Sequence, residues 1–270
     1  MTGLFQRAWD ALMCADPDRK TRLAQELRVA WQRGDVPDDA EWPVEIVATP
    51  GRPDRPALVP ALQVPRRKMS TPAGRAALIH ALTHIEFNAV NLALDAAYRF
   101  RGMPAAFYGD WLQVAAEEAS HFLLLRGHLR SQGHDYGDFP AHNGLWEMAL
   151  KTAHDPLVRM ALVPRVLEAR GLDVTPAIAD KLRAAGDQEA VDILAIIQRD
   201  EIGHVAIGNR WYLAFCRERQ LHPLETFRQL LKDYDAPPLK PPFNLQARRK
   251  SGFDEAELSW LEGQSQARVG

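Results

Sequence analysis

The chain has 270 residues, 46% hydrophobic and 25% charged, with a formal net charge of -2 at pH 7. That balance fits a core of ordinary globular size and exerts no global electrostatic pull toward nucleic acid or an anionic membrane. Cys14 and Cys216 make no disulfide framework, no apolar run approaches the ~20 residues that span a bilayer, and the opening MTGLFQRAWDALMC lacks a signal-peptide core, so a cytoplasmic protein is expected.

Strand signals are nearly absent, apart from an extended piece around Val44–Val47. A helix is predicted over Leu4–Arg33, followed by the proline-rich arm VPDDAEWPVEIVATPGRPDRPALVP. Thr71-Pro72 is a cap followed by proline in the first turn, and it opens a helix to about Phe100. A second long helix runs from about Pro104 to Ser131, and a short one from Leu145 to Ala153. Asp155-Pro156 opens the next, to Ala169, where Gly171 signals a stop, and Thr175-Pro176 opens another to Ala185. The last long helix is expected from Asp187 to Gln220, with a shorter one after Pro223. The prolines of APPLKPPFNLQARRKSGF then forbid a long helix until about Asp254. The expected fold is all-α: a helix and arm over 1–70, a four-helix bundle with a long crossover over 71–220, and an extension over 221–270 packed on it. The basic runs Arg66-Arg67-Lys68 and Arg248-Arg249-Lys250 read as solvated surface.

Within this helical chain, AEEASHFLLL and RDEIGHVAIG each set a Glu and a His amid apolar residues. Alternating steps of three and four trace the core-facing seam of each helix. In the second long helix the seam is Phe107, Trp111, Val114, Glu118, His121, Leu125, His128. In the last it is Leu194, Ile197, Glu201, His204, Gly208, Trp211, Phe215. Residues i and i+3 lie about 60° apart and about 4.5 Å along the axis, so both side chains reach one point. The other two helices offer one seam acid each, Glu86 after Ile79 and Leu82, and Glu168 after Leu157, Ala161 and Pro164. Glu118 follows Glu86 by 32 residues and Glu201 follows Glu168 by 33, the spacing of a duplicated helix pair.

Four carboxylates facing one another in an apolar core repel strongly, and each buried unpaired charge costs several kcal/mol. Two divalent cations reverse the sign. Glu86, Glu118, His121, Glu168, Glu201 and His204 supply four negative charges and mixed O/N donors suited to iron or manganese. A Glu from each of two helices plus a Glu-x-x-His from each of two others is the arrangement of di-iron and di-manganese carboxylate bundles. Ligating imidazoles are commonly oriented by a carboxylate on the far ring nitrogen. Asp200 is expected to serve His121 in this way, and Glu117 to serve His204. His80, His84 and His128 are expected off the ligand set, with His80 and His84 at the surface or just behind the ligands. Tyr98 and Tyr108 are candidates for electron transfer. Pro164, one turn before Glu168, predicts a bend.

The segments HALTHIEFNAVNLALDAAYRF, AEEASHF, LVPRVLEARGLD, RDEIGHVAIGNRWY and PPFNLQARRKSGF resemble the ferritin-like superfamily, and more narrowly the bacterial domain-of-unknown-function 455 family. The resemblance covers about Thr71 to Phe253. It implies a ferritin-like bundle with metal residues at the six positions above, none missing. A more distant likeness is to the tRNA-modifying di-iron hydroxylase, but no basic stripe suited to tRNA is present, and no nucleic-acid partner is expected. Lys-Ser-Gly-Phe near the end departs from the small residues expected before Gly-Phe, away from every ligand.

The expected function is a non-haem di-iron oxidase or hydroxylase that activates O₂ toward a small substrate, served by an electron-donor protein. The cofactor is two iron ions, with manganese or a mixed iron/manganese pair as alternatives. A di-manganese enzyme dismutating peroxide, a ferroxidase or iron-handling protein, and a metal-free interaction bundle are the competing functions. Nothing in the sequence fixes the oligomeric state, a homodimer being one option.

Overall fold

The computed structural model describes residues 2–37, 41–65 and 67–266. The described residues are all-helical apart from loops, without a strand; a single parallel bridge joins Leu58 and Ala141. No helix among them is long and apolar enough to cross a membrane. The chain forms two compact units, residues 1–150 and 151–270.

The first unit contains α1 (Leu4–Leu12), α2 (Pro17–Arg33), α3 (Pro72–Arg99), α4 (Ala105–Ser131) and α5 (Gly144–Lys151). The single helix predicted over Leu4–Arg33 is interrupted after Leu12. Asp16 caps α2 by accepting from Arg19 N at 2.7 Å, and Pro17 holds the first helical position. This is the same device that opens α3, where Thr71 Oγ1 accepts from Gly74 N at 3.1 Å ahead of Pro72. α1 and α4 pack on α3, and α2 packs on α4. Every residue of α3 from Glu86 to Tyr98 is buried, which explains why its sequence carries apolar and polar residues on all sides.

The proline-rich arm is tied down by its backbone. Tyr98 Oη donates to Pro43 O at 3.0 Å and accepts from Glu45 N at 2.8 Å. Trp146 Nε1 donates to Ala48 O at 3.0 Å, and Gly51 N to Leu12 O at 3.0 Å. The extended piece expected at Val44–Val47 forms no strand; Val47 is buried in the arm. Residues 38–40 of the arm and Arg66 of the first basic run lie outside the described residues, and Arg67 stacks over the Phe139 ring.

The break between α1 and α2 has an energetic purpose. Lys20 is fully buried, and its ammonium donates to Ala11 O at 3.1 Å, Leu12 O at 2.6 Å and Asn91 Oδ1 at 2.6 Å. It thus caps the negative end of α1. Burial pulls its pKa from 10.5 down to about 7, with Cys14 opposing. Between those values the unfolded chain binds the extra proton, so stability must rise with pH above about 7 and be lowest below it. Urea titrations should show a gain of about 2–3 kcal/mol between about pH 7.5 and 9.5, against a limiting slope of about 1.4 kcal/mol per pH unit. Lys20→Met should flatten it; an equal gain in both proteins would contradict this assignment.

The second unit contains α6 (Pro156–Leu162), a π-helical turn (Val163–Glu168), α7 (Ala169–Ala184), α8 (Gln188–Glu218), α9 (Pro223–Asp233), α10 (Leu245–Lys250) and α11 (Glu255–Gln266). The irregularity predicted at Pro164 takes the form of the π-turn: proline has no N–H for the α-ladder, and the ladder shifts register by one residue around it. Gly208 of α8 receives the proline ring, since a Cβ there would overlap Cβ and Cγ of Pro164.

The stop at Gly171 and restart at Pro176 do not occur; α7 runs through both. Pro176 leaves the carbonyl of Leu172 without its helical donor, and that oxygen accepts instead from Asn244 Nδ2 at 3.2 Å and Gln198 Nε2 at 3.4 Å. A core of Ala169, Leu172, Val205, Ala247, Phe253, Leu258 and Leu261 joins α10 and α11 to α7 and α8. Two buried ion pairs fasten the same segment. Arg248 meets Asp173 at 2.7 Å, so the second basic run is not simply solvated surface. Arg165 of the π-turn meets both oxygens of Glu257 at 2.7 and 2.8 Å, contacts Asn209, and lies under the rings of Tyr212, Phe227 and Phe253.

Candidate metal centre

In the first unit α3 and α4 are held side by side, and their predicted seams are buried nearly throughout. Glu86 comes from α3, Glu118 and His121 from one turn of α4. Each of the three offers a donor atom within 4.8 Å of the others'. His121 Nδ1 lies 3.2 Å from Glu118 Oε2 and 3.4 Å from Glu86 Oε2. Glu86 Oε2 is buried, and its contact with His121 is longer than an ordinary hydrogen bond.

The electrostatics follow from that crowding. Burial, then the nearby Glu118 carboxylate, push the Glu86 carboxyl well above its ordinary range. Burial alone would lower His121, but its bonds to Glu118 and Glu86 outweigh it and push the imidazole up to about 11. The cluster therefore demands positive charge at its centre. Protons can supply it, and so can a divalent cation, which displaces them as it binds. Two carboxylates and one imidazole, buried and converging, fit a hard-to-borderline metal ion.

The second unit carries the matching set. Glu201 and His204 share one turn of α8, with His204 Nδ1 3.5 Å from Glu201 Oε1; the Glu201 side chain is 12% exposed and His204 is buried. Glu168, buried, ends the π-turn. The widened turn sets this carboxylate one residue out of α-helical phase with α6, and π-turns recur at functional positions for that reason.

Glu117 accepts from Gln113 Nε2 at 3.0 Å, and Asp200 accepts from its neighbour Arg199 at 2.8 and 3.1 Å. His80 and His84 are buried in α3 rather than at the surface. Gly137 N donates to His80 Nε2 at 2.9 Å, and burial lowers the pKa of His80 to about 4 against the pull of Asp138 and Asp135. His84 Nε2 donates to His142 O at 3.1 Å, which leaves Nδ1 to accept from Tyr136 Oη at 2.9 Å. Both of its nitrogens are thus occupied away from Glu86. His128 is buried late in α4 with Nε2 2.7 Å from the Gln132 amide nitrogen. Tyr108 Oη donates to Phe100 O and accepts from Met103 N, each at 3.1 Å, and Tyr98 holds the arm, so both tyrosines have structural duties.

A line of polar residues on α3, His84, Asn88, Asn91 and Asp95, went unread as a functional feature. At steps of three and four they look like a wet helix face, yet all are buried. The covering comes from segments distant in sequence, with Lys20 of α2 against Asn91 and Tyr136 against His84, which helical periodicity does not reveal.

The family model described as "Protein of unknown function (DUF455)" matches residues 13–259. A protein of Haemophilus influenzae (strain ATCC 51907 / DSM 11121 / KW20 / Rd), described as an uncharacterized protein, is 46% identical over 279 residues, covering 97% of this chain and 96% of its own. No solved structure matches the chain. With its match running from before α2 into α11, the chain belongs to the DUF455 family.

Proposed function

We propose that this protein is a non-haem di-iron carboxylate oxidase or hydroxylase of ferritin-like architecture, acting with O₂ on a small substrate. The observation that carries the reading is the convergence of Glu86, Glu118 and His121 in a buried cluster whose charge calls for a cation. The repetition of the motif as Glu168, Glu201 and His204 supports a pair of metal ions rather than one. In this proposal the two sets together supply the donors for two metal ions. Asp200 orients His121, Glu117 orients His204, and the six donors hold the metals while leaving coordination positions open. An iron pair would supply O₂ binding and two-electron oxidation. The chain's own part is to fix the donors, exclude bulk water and admit substrate. The proposed partners are O₂, the substrate and an electron-donor protein.

The same donors accept manganese, so the test must separate the metals. Protein loaded anaerobically with Fe²⁺ is expected to consume O₂ in proportion to bound iron and to develop a new visible absorption band. Manganese-loaded protein that releases O₂ from peroxide, beside an iron form inert to O₂, would replace this reading with a di-manganese peroxide-dismutating one.

A further inference from the structure

On the side of α3 away from Glu86 lies a second polar site, entirely within the first unit. His84, Asn88 and Asn91 stand roughly 140–160° around the helix from Glu86. They line a cleft with Arg52, Tyr136 and Asn143, closed at the sides by the arm and Phe87. The enclosed space is about 10 Å³, room for about one water-sized atom, so only one end of a ligand can enter, with the rest of it at the mouth.

The lining is rich in donors and has no carboxylate. Asn91 is fully buried, and the Lys20 ammonium donates to its Oδ1. Below about pH 7 Lys20 is an ammonium, which can only donate, so there this bond fixes which way the amide faces. Its Nδ2 is then turned the other way, buried and without a hydrogen-bond partner, a costly condition for an N–H. The neighbouring imidazole cannot relieve it, because both His84 nitrogens are engaged by Tyr136 and His142. At the same cleft, the Arg52 guanidinium makes one hydrogen bond among the described residues, a long one to Pro53 O at 3.3 Å. The rest of its donor fork remains for a ligand. Water could satisfy the amide; a carboxylate oxygen in its place would also pair with the half-buried positive charge of Arg52.

We propose that this cleft binds a carboxylate group, which accepts from Asn91 Nδ2 and pairs with the Arg52 guanidinium. Planar two-oxygen acceptors match the arginine fork. The site is independent of the metal reading and stands or falls separately from it.

The test uses the full-length protein with ¹³C-acetate and N-acetylglycine as probes, followed by ligand line broadening at constant ionic strength. Saturable binding is expected for both. Arg52→Gln and Asn91→Asp should each weaken it by about 10-fold or more, the scale of a charge-assisted hydrogen bond. Asn91→Asp retains an oxygen for Lys20, and circular dichroism checks that each variant is folded. Equal affinity for the two probes supports a free small acid; tighter N-acetylglycine supports a carboxylate borne on a longer molecule. No saturable binding, stronger competition by sulfate than by acetate, or unchanged affinity in folded Arg52→Gln would overturn the proposal and leave the cleft to water.

Discussion

Glu118→Ala combined with Glu201→Ala is expected to reduce bound metal from a stoichiometric pair to none while the helices remain folded. Glu118 turns its carboxylate from α4 toward α3, crowding both His121 and Glu86. Glu201 stands in the same relation to His204. Losing one carboxylate from each set removes half of the negative charge that makes divalent ions favourable in a core. The fold should survive because these carboxylates burden the metal-free protein. Burying each charge costs several kcal/mol, and the helices are held by apolar seams. The metal-free double variant is expected to stay folded, and to lose the rise in unfolding temperature that added Fe²⁺ gives wild type. A double variant that still carries stoichiometric metal would remove both residues from the ligand set.

Glu257→Ala is expected to destabilise the protein by about 3–5 kcal/mol, because it leaves a buried guanidinium without its counter-ion. Arg165 is inaccessible to water, so no solvent replaces the two bonds it makes to Glu257. The three rings around it soften the loss without neutralising the charge. Replacing both partners, Arg165→Met with Glu257→Leu, should cost far less than Glu257→Ala, since no orphaned charge remains. Urea unfolding of the three proteins decides the matter: a loss below about 1 kcal/mol in Glu257→Ala would show that the pair does not fasten α11 to the π-turn. Arg165 lies three residues before Glu168 in that turn, so the C-terminal helix also braces a proposed metal ligand.

How much of this was visible beforehand depends on where the compensating group lies. Helices α3 and α4 were legible because their signals are local: Thr71-Pro72 at one start and uninterrupted seams along both. The break before α2 was equally local, in Asp16-Pro17, but the apolar periodicity across it masked the cap. Pro176 misled for the opposite reason. A proline normally ends a helix, and only Asn244 and Gln198, distant in sequence, satisfy the carbonyl it orphans. The Glu and His residues stood out because acids on a buried seam contradict the pattern around them. Asn91 and Arg165 did not stand out, since a polar residue looks solvated until the loop or helix covering it is known.

Elemental analysis of protein purified from cells supplied with both iron and manganese shows whether Glu86, Glu118, His121, Glu168, Glu201 and His204 hold two metal ions, as proposed. A stoichiometric pair of ions per chain, predominantly iron and retained through desalting, is expected. Protein that is stable, folded and free of both metals after that preparation would contradict it.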